Sequence, residues 1–282
     1  MQRVAIVTGS SSGFGLLTTI ALAKRGFHVI ATMRNLNKQD VLKTVTTDSN
    51  VLRRIEVFEL DVTSKDSIEV FQDKVESLDR LDVLVNNAGM AIGGFVEQIP
   101  IDDYRKQFET NVFGVMAVTQ AVLPKMRKQE SGTIINVSSI SGKVGFPGLS
   151  AYVSSKHAIE GYSESLRLEM QPFGVQVALV EPGSFKTNIW SFGMEMTAGS
   201  DDEQSPYYTY MKKLTSTLEA GKKNHEDPRR VANLICNIAL LEDVTKLRYP
   251  IGKGVKIQLK LKQFLSWRRW ESIIISTILK EK

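Results

Sequence analysis

The chain has 282 residues, 42% of them apolar and 24% charged, proportions that suit a soluble domain with a large buried core. A single cysteine, Cys236, excludes an intrachain disulfide framework, and three scattered histidines, His28, His157 and His225, give no metal-ligand spacing, so no metal is expected. The net charge of +5 is uneven: residues 253–282 carry eight Lys/Arg against two Asp/Glu, which leaves the rest close to neutral and gives no sign of nucleic-acid binding.

In chain order, the first strand falls at residues 4–7, leaving no room for a targeting segment. No apolar run reaches the roughly 18 residues needed to span a membrane, so a cytoplasmic location is the expectation. The strand runs into Thr8-Gly9-Ser10-Ser11-Ser12-Gly13-Phe14-Gly15, and a helical pattern follows over 15–25. Glycines there permit a tight turn and close approach of backbone to a pyrophosphate. The helix start adds unpaired N–H groups and a favourable dipole. Gly9, Ser11, Ser12, Gly13, Phe14 and Gly15 are therefore candidate cofactor residues. No Gly-Lys-Ser/Thr closes the loop, which disfavours an ATP-type P-loop.

The second strand, 29–31, leads to Met33-Arg34 at the position where an acidic residue would bind a ribose 2′-hydroxyl and repel a 2′-phosphate. Arg34 can hold a phosphate through two parallel hydrogen bonds, so NADP(H) is expected in preference to NAD(H). Ser12 offers no second cation, which leaves room for NAD(H) as well.

Further strands read at 55–60, 83–85, 134–137 and 175–180 as near-continuous apolar runs, the mark of a parallel sheet covered on both faces. Helical patterns lie between them at 65–78, 102–127 and 151–170. Thr63 and Asp66 suggest a capping box before the first of these, and Pro124 is expected to kink or end the second. The alternation predicts an α/β fold: a Rossmann-type doubly wound parallel sheet in three α/β/α layers. One domain is expected over 1–252. Within it, the polar, Met/Tyr-rich segment 188–224 forms a small helical lid after the sixth strand. A helix after Pro228 and a short strand near 247–250 complete the domain, and 253–282 form a basic amphipathic C-terminal extension.

The chemistry concentrates between Gly132 and Lys156. An apolar strand ends in Ser138-Ser139, a glycine-rich loop follows, and the next helix carries Tyr152 and Lys156 one turn apart on one face. Tyr-x-x-x-Lys also occurs at Tyr208/Lys212 and Tyr249/Lys253. The latter is broken by Pro250 and Gly252, and the former has no serine-ended strand before it. At about 4–5 Å and an effective dielectric of about 20, the ammonium attracts a phenolate by about 3–4 kcal/mol. Before desolvation opposes it, that attraction corresponds to acidifying Tyr152 by about two to three pKa units.

Taken together, these residues resemble the short-chain dehydrogenase/reductase family over residues 3 to about 250. The resemblance rests on Thr8–Gly15, Asn86-Asn87-Ala88-Gly89, Asn111, Ser139, Tyr152-x-x-x-Lys156 and Pro182-Gly183 with Thr187, all in family order and spacing. Within the family the chain is similar to the branch holding retinol and 17β-hydroxysteroid dehydrogenases. The resemblance implies hydride transfer between a nicotinamide and an alcohol or carbonyl carbon, with Tyr152 as general acid/base. Ser139 and Tyr152 would bind the substrate oxygen, Lys156 the nicotinamide ribose, and Asn111 a water linking Lys156 to solvent. Asp61 would contact the adenine, Asn87 and Ala88 the adenosine ribose, and Phe185 and Thr187 the carboxamide. Homodimers or homotetramers are implied as well.

The expected pocket borders, Ala91, Ile92, Phe146, Leu149, Trp190, Phe192 and Met194, are apolar and suggest a lipophilic alcohol or carbonyl substrate of retinoid, steroid or lipid type. Alternatives are an NAD-dependent alcohol dehydrogenase of the same fold, a sugar-nucleotide epimerase, and a catalytically silent NADP(H)-binding sensor or scaffold. The tail mixes apolar residues and two tryptophans with lysines and arginines. It suits either peripheral contact with an anionic membrane or docking on the domain.

Overall fold

A computed structural model describes residues 2–187, 194–197, 199–200 and 202–279. The strands are Val4–Val7 (β1), His28–Met33 (β2), Ile55–Glu59 (β3), Val83–Asn86 (β4), Ala91–Gly93 (β5), Gly132–Val137 (β6), Val175–Pro182 (β7), Met194–Met196 (β8) and Arg248–Ile251 (β9). The helices begin with Gly13–Lys24 (α1), Val41–Val45 (α2), Ser49–Leu52 (α3), Lys65–Glu76 (α4), Ile101–Phe108 (α5) and Gly114–Gln129 (α6). They continue with Ser150–Met170 (α7), Tyr208–Gly221 (α8), Arg229–Ala239 (α9), Val255–Phe264 (α10) and Trp267–Leu279 (α11).

Seven strands form one sheet in the order β3-β2-β1-β4-β6-β7-β9, and every pair is parallel. The unbroken apolar runs follow from burial on both sides. Ala5 and Val7 point into a core shared with Leu16 and Ile20 of α1 and Ile235 of α9. Val4 and Ile6 point the other way, toward Phe71 of α4, Val118 and Val122 of α6 and Leu166 of α7. Each Val, Leu, Ile or Phe among them contributes about 1.5–3 kcal/mol on full burial. The strand order reverses between β1 and β4, and the crevice outside their carboxyl ends is where an open α/β sheet takes its ligand.

Two local expectations are corrected and two are refined. The helix over 102–127 is two helices, α5 and α6, separated by a π-helical turn at Glu109–Phe113. Pro124 does not end α6, which runs on to Gln129 and stops where Glu130 turns left-handed at φ 52°. The carbonyl freed by the proline belongs to exposed Gln120, on the water-facing side. The cap of α4 is Ser64, whose Oγ accepts from Ser67 N at 3.3 Å, while Thr63 donates to Asp61 Oδ1 instead. The segment expected to be a helical lid contains α8 and also strand β8, paired in parallel with β5 in a small second sheet.

The C-terminal helices lie against the domain. Val255 and Trp270 are buried with Ile140 and Val144 of the loop after β6, and Ile278 packs with Phe95, Met211 and Leu214. Among the described residues, no helix is long and apolar enough to cross a membrane, and no group of three or more potential ligands could hold a metal ion.

Candidate active site

A cavity of about 930 Å³ opens at the carboxyl ends of the central strands, lined on one side by the glycine turn and on the other by Ser139, Tyr152 and Lys156. Gly9 and Gly13 adopt φ of +68° and +55°, which only glycine takes without strain. A Cβ on Gly15 would collide with Gly9 O and Asn87 Nδ2. That crowding reflects a latch. Asn87 Nδ2 donates to Thr8 O at 2.8 Å, and Thr8 Oγ1 accepts from the backbone N–H groups of Asn87 and Ala88 at 2.9 and 3.0 Å. The Asn87 amide is thus spent on shaping the turn, although the residue also lines the cavity with Ala88. Ser12 precedes α1 in an extended conformation with no side-chain cap, so the first N–H groups of the helix carry no capping oxygen. The site fits a dinucleotide: its glycines make room for backbone approach, and its helix start faces the cavity with donors.

Ser11, Ser12, Gly13 and Phe14 all line the cavity, as do Arg34, Asp61, Phe185 and Thr187. Arg34 stands at the exposed rim after β2. Lys38, four residues on, lines the same rim and escaped notice in the sequence, where a lone lysine in a polar stretch carries no signal. Asp61 Oδ1 accepts from Thr63 N at 3.0 Å, fixing the turn before α4. Phe185 is buried and meets Phe14 edge to face, with ring centroids 5.7 Å apart.

The reactive set is close-knit. Ser139 lies two residues past β6 in extended conformation, and its Oγ accepts from Ser141 N at 3.1 Å. Lys156 Nζ donates to Val137 O at 2.8 Å and lies 5.7 Å from the Tyr152 ring centroid. Both side chains are buried. Burial pushes the Tyr152 phenol up to about 12, outweighing the hydrogen bond to Ser139 that favours its ionisation. Burial likewise brings Lys156 down to about 8, with the Glu160 charge partly opposing. The expected pull of Lys156 is opposed by desolvation of the phenolate, which is the larger effect here.

Asn111 sits in the π-helical turn, buried behind the cavity wall. Its Nδ2 donates to Met90 O at 3.0 Å and to Ser155 Oγ at 3.1 Å, and its Oδ1 accepts from Met90 N at 2.9 Å. The amide ties α7 to the segment after Asn87. A π-helical turn often marks a functional position, but its five residues cannot be told from α-helix by pattern.

Of the expected pocket borders, Ala91, Ile92, Phe146 and Leu149 do not line this cavity. Ala91, Ile92 and Leu149 are buried, and Phe146 packs against the cluster around Val144 and Val255. The cavity wall at that end is Met90, Lys106, Glu109, Thr110 and Glu195, with Lys106 and Glu195 ion-paired. Trp190, Phe192 and the Met194 side chain lie outside the described residues.

A parallel sheet with a glycine turn at its reversal point and a Ser/Tyr/Lys set facing that turn defines a dinucleotide-dependent oxidoreductase. A profile of the short chain dehydrogenases matches residues 3–196, and the chain belongs to that short-chain dehydrogenase/reductase family, in its retinol-dehydrogenase-like branch. It is 50% identical to the uncharacterized oxidoreductase YusZ of Bacillus subtilis over 97% of each chain. The 3-ketodihydrosphingosine reductase of Bacteroides thetaiotaomicron is 36% identical over 90% of each, and human retinol dehydrogenase 8 is 30% identical over 91% of this chain and 82% of that one. A short-chain dehydrogenase structure from Streptomyces avermitilis superposes with a TM-score of 0.80 at 35% identity, covering 98% of this chain and 97% of the other. NADP-bound ElxO gives 0.75 at 26% identity, over 91% of this chain and 100% of its own. The protein is thus an enzyme of the CH–OH oxidoreductase type with a fold that binds a nicotinamide cofactor.

Proposed function

We propose that this enzyme interconverts a lipophilic alcohol and its ketone or aldehyde with NADP(H) as preferred cofactor and Tyr152 as general acid/base. One observation carries the reading: Ser139, Tyr152 and Lys156 line the same cavity as the glycine turn. When bound, the nicotinamide supplies or accepts the hydride. The protein's residues handle position and proton. The N–H groups of Gly13 and Phe14 and the glycine turn receive the pyrophosphate. Arg34 and Lys38 receive the 2′-phosphate, and Asp61, Asn87, Ala88, Phe185 and Thr187 border the adenosine and carboxamide. Ser139 orients the substrate oxygen. A phenol near 12 stays protonated at neutral pH, so Tyr152 holds the proton that a carbonyl oxygen receives on reduction and takes it back on oxidation. Lys156, near 8, exchanges protons close to neutrality and restores the donor. Asn111 anchors α7 to the cavity wall.

The lipophilic substrate class draws its support from relatives named for retinol and ketodihydrosphingosine, both molecules with long apolar chains. On the partner side, exposed Phe113 and Leu168 suit assembly as a homodimer or homotetramer. The basic tail suits peripheral contact with an anionic membrane, where such substrates dissolve.

Loss of NADPH absorbance with a panel of long-chain ketones and aldehydes tests the reading. Tyr152→Phe is expected to lower kcat by about 10²–10⁴-fold with NADPH still bound. Retention of a tenth or more of wild-type activity would refute the assignment. Arg34→Ala is expected to cut the NADPH-over-NADH ratio of kcat/KM by about tenfold or more. An unchanged ratio removes the claim of NADP(H) preference.

A further inference from the structure

Behind the cavity wall lies an ion cluster built on two buried carboxylates, Glu160 and Glu181, to which the reaction above gives no task. Glu160 stands one turn after Lys156 on α7 and is 3% exposed. Its Oε1 accepts from Ser138 Oγ at 2.7 Å, while Oε2 lies 2.9 Å from Arg248 Nε and 3.3 Å from Lys143 Nζ. Arg248, on β9, also pairs with Glu164 and comes within 3.6 Å of Glu181 Oε1. Glu181 is 1% exposed and precedes Pro182-Gly183 in the cavity wall. Burial beside Glu160 raises its carboxyl above the usual range.

Such a cluster is a poor source of stability. Apolar side chains of similar volume would serve a core as well or better. What it offers is direction. Ser138 is the neighbour of Ser139, and Glu160 lies on the helix that bears Tyr152 and Lys156. The carboxylate therefore bridges the two elements whose relative placement fixes the distance from serine to phenol. Gly142 shows how tightly the bridge is enclosed: a Cβ there would lie 2.8 Å from Ser138 Oγ and 2.9 Å from Glu160 Cγ. Lys143, next in the loop, is held to the same carboxylate.

We propose that Glu160 is a positioning residue, tying the end of β6 to α7 so that Ser139 and Tyr152 meet the same substrate oxygen. This rests on the reading of Ser139, Tyr152 and Lys156 as the reacting set. The charge of Glu160 has a second effect, because it raises the Lys156 pKa against the burial that lowers it. The groups facing it are Lys143, Lys156, Glu164, Glu181 and Arg248.

The test compares E160L, E160Q and S138A with the wild type in steady-state kinetics across pH, in NADPH binding, and in amide hydrogen exchange of residues 138–144. E160L is expected to lose kcat by about 10–100-fold, as for a small misplacement of a reacting group, and to exchange faster at 138–144. Its NADPH affinity should stay within about twofold. E160Q keeps an acceptor for Ser138 without the charge. It is expected to recover most of kcat and to move the lysine-dependent limb of the pH profile to lower pH. S138A, which deletes one hydrogen-bond partner, is expected to show a smaller loss of kcat than E160L and also faster exchange; it carries the test should E160L fail to fold. Wild-type kcat, an unmoved pH limb and unchanged exchange in the variants would overturn the proposal. A wild type that turns over no carbonyl with NADPH sinks the catalytic reading instead, and the exchange comparison then decides whether the tie exists.

Discussion

Tyr152 and Lys156 were found in the sequence because both lie within one helical turn, beside a strand ending in serine. Their protonation was not, since desolvation depends on what the fold packs around them. Lys156 has a testable consequence for stability. Its ordinary pKa of 10.5 falls to about 8 in the folded protein, so the unfolded chain holds that proton more firmly. The native state is most penalised below pH 8 and gains stability as pH rises from 8 toward 10.5. Lys156→Met removes the buried ammonium. Its melting temperature relative to wild type is expected to fall steadily over that interval, read by differential scanning fluorimetry. A difference that stays constant with pH contradicts this account. The amides of Asn87 and Asn111, expected at the cofactor and at a water, also hold backbone in place. A motif names a residue; only its neighbours say which way the side chain is turned.

The long strands and helices were legible because they repeat a pattern over many residues, whereas the pieces that were missed are short. β5 and β8 have three residues each, too few for a period to emerge, and the π-helical turn continues the helix on either side. The tail is a different matter. α10 docks through Val255 and Leu259, but on its opposite side Ile257, Leu261 and Phe264 face solvent, with Phe264 79% exposed. Exposed Lys256 and Lys260 flank that stripe, and Trp267, 68% exposed, extends it. A second copy of the chain laid on this face would bring like charges together, while anionic headgroups would neutralise them. The double substitution Phe264→Glu/Trp267→Glu is expected to weaken co-sedimentation with anionic vesicles by about tenfold or more. It suits the test better than truncation, because Trp270 and Ile278 help cover the domain. Equal sedimentation of both proteins, or equal binding to neutral vesicles, would remove the membrane from the account.

At the scale of the molecule, the alternation of apolar strands with amphipathic helices was enough to give the layered α/β architecture. The family resemblance gave the place of the glycine turn within it. Neither gave the Ser138–Glu160–Arg248 arrangement, because its members are far apart in sequence and each looks like an ordinary surface residue on its own. The same holds for Lys38 and the Lys106–Glu195 pair at the rim.

The strand order carries a consequence for how the cavity is laid out along the chain. β1, central in the sheet, finds its neighbours in β2 and β4, and its glycine turn is latched by Asn87. Arg34 and Asp61 fall in that same span, so residues 4–87 hold the central strand, both of its flanks and much of the lining of the cavity. Ser139, Tyr152 and Lys156 come only later, and β9, which closes the far edge of the sheet, later still. The glycine-turn side of the cavity thus precedes the Ser/Tyr/Lys side along the chain.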